Sequence, residues 1–491
     1  MGRTVETLEQ LRREPVFREF YEICQVPHSS RNEDALAEAI RCFAEARGIS
    51  AKRDETGNLF LRKPAGPGGE GKPPVLLQAH LDMVCEKREG SLHDFQKDPI
   101  PLKVEGDYLT TGGETSLGAD DGIGVALALA ALQEENLPLP PLEVLFTVME
   151  EDDLSGALNF DMSTSEAMYL LNLDHTSEHD ILSGSAGGME VDVRLPLAFL
   201  DAPNTLRPYR LRVAGLLGGH SGDDIHRGRG NANRLLARAL KALTEDADRP
   251  LTFLRGGSFR LAIPRDAECT LLLDPSDEPA LQNLLKDLTG TFREELSEYS
   301  SRLEVELLAE EGDQASGNAP AVSARRVADL LLALPDGVQK WSVVFEGLVH
   351  TSLNLGEARL VDGGRTLEVI LEIRSSTVED RNKVYEDIRY IAEKEGGRAE
   401  ACNEYPGWEY RQDSPLRELC RGAYEKLYGV APETLVLHCG LEVGCLLQNK
   451  PALDAVSLGP NLFDLHSVTE RLSISSVRRF YPYLLTVLQT I

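Results

Sequence analysis

Val75-Leu76-Leu77-Gln78-Ala79-His80-Leu81-Asp82 is the stretch from which the fold is read. Its apolar run, Val75 to Ala79, marks a strand covered on both faces. The run ends in His80 and Asp82, two residues apart, which a continuing strand places on one face. Three more apolar runs repeat this design. Leu142 to Met149 runs into Glu150-Glu151, and Met168 to Leu173 runs into Asp174. Ala455 to Leu458 leads to a loop that holds His466. Between them a Gly-rich loop, Ser116 to Gly124, carries Asp120-Asp121 and opens an Ala- and Leu-rich helix, Val125 to Leu132. Leu36 to Ala46 reads as an amphipathic helix. Strands alternating with helices predict a mostly parallel α/β sheet. Such sheets hold ligands beyond the carboxyl ends of their strands.

The residue types at those ends decide the chemistry. Two histidines and three carboxylates can hold two divalent ions. With one carboxylate bridging, each ion has one histidine, one terminal carboxylate and the bridge. A position is left for a shared water, an arrangement that suits zinc. Other readings exist for each piece. His80 and Asp82 could form a hydrogen-bonded structural pair. Asp120 and Asp121 could cap a helix. Glu150 to Asp153 could be a solvated acidic turn. Gly118 to Gly124 is not a phosphate loop, because no Lys-Ser/Thr follows it.

The pattern changes near Gly184 to Gly188. Glu190 to Leu195 and Tyr209 to Val213 alternate like half-exposed strands. Asn231 to Leu243 reads as a helix, with strands near Phe259 to Ile263 and Glu268 to Leu273. The segment 310–319 reads as a loop. A helix near Ser323 to Leu334 and strands near Ser352 to Leu355 and Leu367 to Ile373 follow. Helix-then-strands thus occurs twice, as duplication of an α+β module would produce. After about Ala399 the α/β pattern returns, with a helix over Pro415 to Leu427. The predicted organisation is a catalytic domain over 1–187 and 400–491, interrupted by an α+β insertion or lid over 188–399.

Composition narrows the function classes. With 491 residues the chain is too long for one compact core. A net charge of −29 disfavours a nucleic-acid partner, which calls for a basic face. The apolar runs are too short to span a membrane. The polar opening, Met1 to Thr7, predicts no signal peptide. Eight scattered cysteines without Cys-x-x-Cys spacing predict a reducing, cytoplasmic setting rather than a disulfide framework.

In order along the chain stand His80-Leu81-Asp82, Gly118-Ala119-Asp120-Asp121-Gly122, Glu150-Glu151, Asp174 and Gly218-Gly219-His220-Ser221-Gly222. This set resembles the M20 metallopeptidases. Gln78 to Val84, Gly230-Asn231-Ala232-Asn233, Tyr405-Pro406-Gly407-Trp408 and His438-Cys439-Gly440-Leu441-Glu442 are similar to its Xaa-His (aminoacyl-histidine) dipeptidase branch. The resemblance implies a di-zinc peptidase fold with a lid, and a role for each residue. Asp120 bridges two metals. His80 and Asp174 complete one site, and Glu151 and His466 the other. Glu150 is the general base, and Asp82 orients His80. His220 stabilises the oxyanion, and Arg374 binds the substrate carboxylate from the lid, which closes over the substrate. The ions are zinc, with cobalt or manganese as alternatives. A hydroxide shared by metals about 4 Å apart attacks the peptide carbonyl.

Asn231 is either a helix cap or a substrate contact. Gly440, between His438 and Glu442, lies in a loop that lines the pocket or packs. Both are carried with Arg374 as candidate substrate-binding residues. Leu261 stands where relatives tend to carry an asparagine, which bears on substrate preference. The expected activity is hydrolysis of small peptides, dipeptides first. An N-acyl amino acid deacylase, a tripeptidase and a non-catalytic binding protein are the rivals. A homodimer is compatible with the reading, although a duplicated lid can replace the second subunit.

Overall fold

The computed structural model describes residues 7–296, 299, 301–310 and 320–491. The chain folds into two compact units. The first comprises Met1–Ser185, Trp408–Val436 and Leu441–Ile491, the second Ala186–Gly407 and Leu437–Gly440.

An eight-stranded sheet organises the first unit. Its centre is four strands, β1 (Val75–His80), β2 (Leu142–Thr147), β3 (Tyr169–Asn172) and β4 (Asp454–Ser457). They lie in the order β2-β1-β3-β4, all parallel. Every residue of β1, β2 and β4 is buried, as strands covered on both faces require. Helix α1 (Ala119–Leu132) packs between β1 and the Pro15–Cys24 helix. Apolar neighbours on two sides explain why all of α1 except Asp120 is buried.

The sheet is parallel only in this centre. Leu59–Lys63 pairs antiparallel with β2 and with Ser50–Arg53, and Asp180–Ser185 pairs antiparallel with β4. The turn between the first two explains their direction. Asp54 accepts the N–H groups of Gly57 and Asn58, and Gly57 sits at φ +115°. A tight turn can join only antiparallel strands.

The second unit is an antiparallel sheet backed by helices. Its strands run Glu304–Ala309, Arg207–Ala214, Ala267–Leu273, Pro250–Gly256, Val349–Val361, Thr366–Ser375, Gly187–Pro196, Arg398–Tyr405. This order contains a repeat. Arg207–Ala214, helix Ala232–Leu243, Pro250–Gly256, Ala267–Leu273, helix Glu278–Leu296 and Glu304–Ala309 form one β-α-β-β-α-β set. Gly187–Pro196 begins a second set. It resumes at helix Ala324–Ala333 and continues through Val349–Val361, Thr366–Ser375, helix Val378–Lys394 and Arg398–Tyr405. In each set the fourth strand lies beside the first, the first beside the third and the third beside the second. The two second strands meet at Arg255↔Arg359 and Gly256↔Ala358. The α+β module therefore occurs twice, and the second copy is split by the first.

Two local readings change. Arg398–Tyr405 is not the return of the α/β pattern. It pairs with Gly187–Pro196 from Arg398↔Arg194 to Tyr405↔Gly188, which carries the second unit to Gly407 rather than 399. The strand expected over Phe259 to Ile263 shrinks to Ala262–Ile263. Gly257 turns the chain at φ +69°, with the Gly356 carbonyl where a Cβ would stand. Of the loop read over 310–319, residues 311–319 lie outside the described residues. No helix among the described residues is long and apolar enough to cross a membrane.

Candidate active site

β1 ends at His80, so Asp82 lies beyond the strand and not at its next in-register position. Asp82 nevertheless reaches the ring, through both its backbone carbonyl and its carboxylate. His80 Nδ1 is 3.0 Å from the Asp82 backbone carbonyl and 3.5 Å from its carboxylate. A carbonyl only accepts, so Nδ1 carries the proton and Nε2 is left as a ligand. The Asp82 carboxylate serves the next strand end. It accepts the N–H of Glu150 at 3.0 Å, the N–H of Glu151 at 3.1 Å and the Ser30 hydroxyl at 2.8 Å. Met149, at φ +57°, turns the chain out of β2, and its N–H donates to Glu33 at 3.0 Å.

Asp120 is the centre of the cluster. Its Oδ1 is 3.3 Å from His80 Nε2, and its Oδ2 is 3.2 Å from His466 Nε2. Asp174 Oδ1 lies 3.8 Å from His80 Nε2, and Glu151 Oε1 lies 2.8 Å from His466 Nε2. Asp120 thus offers one oxygen to each of two His-plus-carboxylate pairs. Ligand atoms of Asp120, Glu151 and His466 all fall within 4.8 Å of one another. The same holds for His80 with Glu150 and Glu151, and for His80 with Asp121 and Asp174. The neighbouring aspartates divide their work. Asp121 is buried and accepts the N–H groups of His80 and Gly124, each at 3.1 Å.

Three buried acids escaped the sequence reading or received no role in it. Glu470 accepts the N–H groups of Leu117, Gly118, Ala119 and Asp120 at 2.7–3.4 Å. It thereby fixes the loop that presents Asp120. Glu33 holds the Met149 turn. Glu442 accepts from Gln78 at 2.6 Å and Thr147 at 2.8 Å. Gln78 in turn accepts from Asn172, which accepts from Ser457. Polar side chains so cross all four central strands beneath the site. No local pattern marks Glu470 or Glu33, since one acid in a polar loop has no periodicity.

The electrostatics fit bound cations. Burial pushes Asp121, Glu150 and Asp174 well above the carboxylate range, with neighbouring acids adding to the rise and His80 opposing it. Burial also acts to raise Asp120, but His466 and His80 outweigh it and hold Asp120 low. The carboxylates of Asp120 and Glu151 push His466 up to about 10. Glu151 Oε1 is buried and has His466 Nε2 as its near neighbour at 2.8 Å. Five acids around two imidazoles form a donor set suited to divalent ions.

The second unit gathers its own group. Arg374, on the Thr366–Ser375 strand, is buried. It donates to the Tyr405 hydroxyl at 2.8 Å and to Ser221 Oγ at 3.4 Å. His220, from the other half of the repeat, precedes Ser221. The Asp223 N–H donates to its Nδ1 at 3.1 Å, which leaves Nε2 to carry the proton in the neutral ring. Within one chain Arg374 thus bonds the residue that follows His220. Gly440 packs on Tyr405, whose ring lies 2.7 Å from where a Cβ would stand. Asn231 is the helix cap. Its side-chain oxygen accepts from Asn233 and Arg234, and its amide donates to Asp336 and to the Leu355 carbonyl. The Leu261 carbonyl accepts the Ser221 N–H at 2.9 Å.

Comparison with known proteins gives this geometry its context. Residues 76–490 match peptidase family M20/M25/M40. The chain belongs to that family. This M20 peptidase is 38% identical to the cytosol non-specific dipeptidase of Escherichia coli K12, over 99% of both chains. The crystal structure of aminoacylhistidine dipeptidase from Vibrio alginolyticus superimposes with a TM-score of 0.85 at 35% identity. It covers 99% of this chain and 98% of that one. A tripeptidase from Staphylococcus aureus shares the fold, with a TM-score of 0.57 at 16% identity over 97% of both chains.

Proposed function

We propose that this M20 peptidase hydrolyses dipeptides with two divalent metal ions. The observation that carries the reading is Asp120, with one oxygen toward each imidazole and a further carboxylate beside each. His80 and Asp174 would hold one ion, Glu151 and His466 the other, and Asp120 would bridge them. Ions bound there would polarise the scissile carbonyl and make a nearby water more acidic. The nitrogen and oxygen donors favour zinc, with cobalt or manganese able to replace it.

Glu150 takes the proton of the attacking water. As the new C–O bond forms and the C–N bond breaks, it passes that proton to the leaving amine. Burial raises Glu150, the direction a base working near neutral pH requires. Asp82 positions it by holding its N–H. His220 donates from Nε2 to the oxyanion, a contact worth roughly 3 kcal/mol in such sites. Arg374 receives the substrate carboxylate, which its planar fork matches. The first unit is then the catalytic domain and the second the lid.

The two full-length relatives support dipeptides as substrates. One is named non-specific and the other aminoacylhistidine-directed, so both kinds of dipeptide belong in the test. Eight cysteines, none of them disulfide-bonded among the described residues, accord with a reducing cytoplasm. Hydrolysis of β-Ala-His, Gly-His, Ala-Leu, Ala-Ala-Ala and N-acetyl-Leu should be measured as purified, after chelation, and after zinc, cobalt or manganese is restored. Metal-dependent cleavage confined to the dipeptides is expected. Turnover of N-acetyl-Leu alone would replace the reading with a deacylase, and of Ala-Ala-Ala alone with a tripeptidase.

A further inference from the structure

In the second unit, Arg374 and His438 hold donors that the protein does not use. Arg374 spends Nη1 on Tyr405 and Nε on Ser221. Its Nη2 has no hydrogen-bond partner among the described residues. His438 is 5% exposed, and its Nε2 lies 2.7 Å from the Ser352 hydroxyl. Its Nδ1 is buried without a partner. The two residues are neighbours by construction, because Ser352 stands directly opposite Arg374 in the strand pair. The His438 carbonyl also lies 2.4 Å from where a Cβ on Gly222 would stand, so the His438 backbone abuts the His220–Gly222 turn.

Burial, then the charge of Arg374, pushes His438 down to about 3, so the ring is neutral at working pH. A neutral imidazole has one donor and one acceptor nitrogen. The Ser352 hydroxyl is able to donate to Nε2, and in that tautomer the proton sits on Nδ1. Buried donors are almost always paired, and an unpaired one beside an unpaired guanidinium nitrogen calls for an anionic acceptor with two oxygens.

We propose that His438 is a specificity-determining residue that, with Arg374, receives the terminal carboxylate of the peptide substrate, one oxygen on each side chain. This rests on the dipeptidase reading. The test compares Ala-Leu with Ala-Leu amide, which lacks the carboxylate, for the native protein, His438→Ala and His438→Asn. The native protein should prefer the free acid. His438→Ala should raise KM for Ala-Leu about tenfold, as loss of one such contact does, leave kcat nearly unchanged and leave kcat/KM for the amide unaltered. His438→Asn, which keeps an N–H near the Nδ1 position, should restore part of the preference. If His438→Ala does not fold, Ser352→Ala removes the hydroxyl that sets the tautomer and should narrow the preference in the same direction. Equal loss on both substrates, or an unchanged preference, overturns the role of His438. A native protein that cleaves acid and amide equally overturns carboxylate recognition altogether. One that cleaves neither with any metal overturns the dipeptidase reading itself.

Discussion

Adjacent residues of one type take different work at this site. Asp120 faces two imidazoles, while Asp121 is turned inward to backbone N–H groups. The next pair of acids divides similarly. Glu151 approaches His466 to 2.8 Å, whereas Glu150 groups with His80 and Glu151 and forms no ion pair with either imidazole among the described residues. Glu150→Ala is therefore expected to retain two metal ions per chain by elemental analysis. Its kcat should fall by about two to four orders of magnitude, the contribution of a positioned acid–base group. Equal loss of metal would make Glu150 a ligand instead. Composition could not separate these pairs, because the separation depends on the left-handed turn at Met149 and on the N–H groups the Asp82 carboxylate holds.

At the scale of elements, the site depends on how strand ends and helix starts are anchored. Four N–H groups at the start of α1 converge on Glu470. Glu470→Ala leaves buried donors unpaired, at about 1–3 kcal/mol for each one that water cannot reach. A lower urea midpoint and weaker metal binding should appear together. An unchanged metal affinity would show that the loop needs no such anchor. In the second unit, Asp336 accepts the Leu355 N–H at 2.9 Å and the amide of Asn231, the cap of its helix. Burial raises Asp336 to about 6. The folded state thus holds its proton more tightly than the unfolded chain, whose carboxylate titrates near pH 4. The stability this gives is fully present below about pH 4 and is lost as pH rises through 6. Asp336→Asn should flatten the decline in thermal midpoint across that interval. A slope equal to that of the native protein would refute the assignment.

For the whole molecule, five of the acids behind a net charge of −29 gather around His80 and His466. Cations bound to the folded state alone stabilise it by mass action, by about 4 kcal/mol at a thousand times Kd. Chelation should lower the calorimetric midpoint and restored zinc should return it, with no shift expected for a protein lacking the site. The duplicated sheet acts at this scale too. It joins the His220 turn from one half to Arg374 from the other within a single chain.

What the sequence determined by itself is the set of strand-end candidate ligands and the parallel centre of the first sheet. Full burial writes a continuous apolar run, and the polar residue that ends the run is conspicuous against it. His80, Glu151 and Asp174 were legible for that reason, and the repeat was legible as helix-then-strands seen twice. His466 lies in a loop without periodicity and was identified through the resemblance. Only the tertiary structure decided which aspartate faces the imidazoles, that the Asp82 carbonyl joins its carboxylate at the ring, that Asn231 caps a helix, and that Glu470, Glu33 and Glu442 support the site. These facts depend on where one carboxylate oxygen points relative to groups hundreds of residues away, and long-range pairing of that kind leaves no local pattern in the chain.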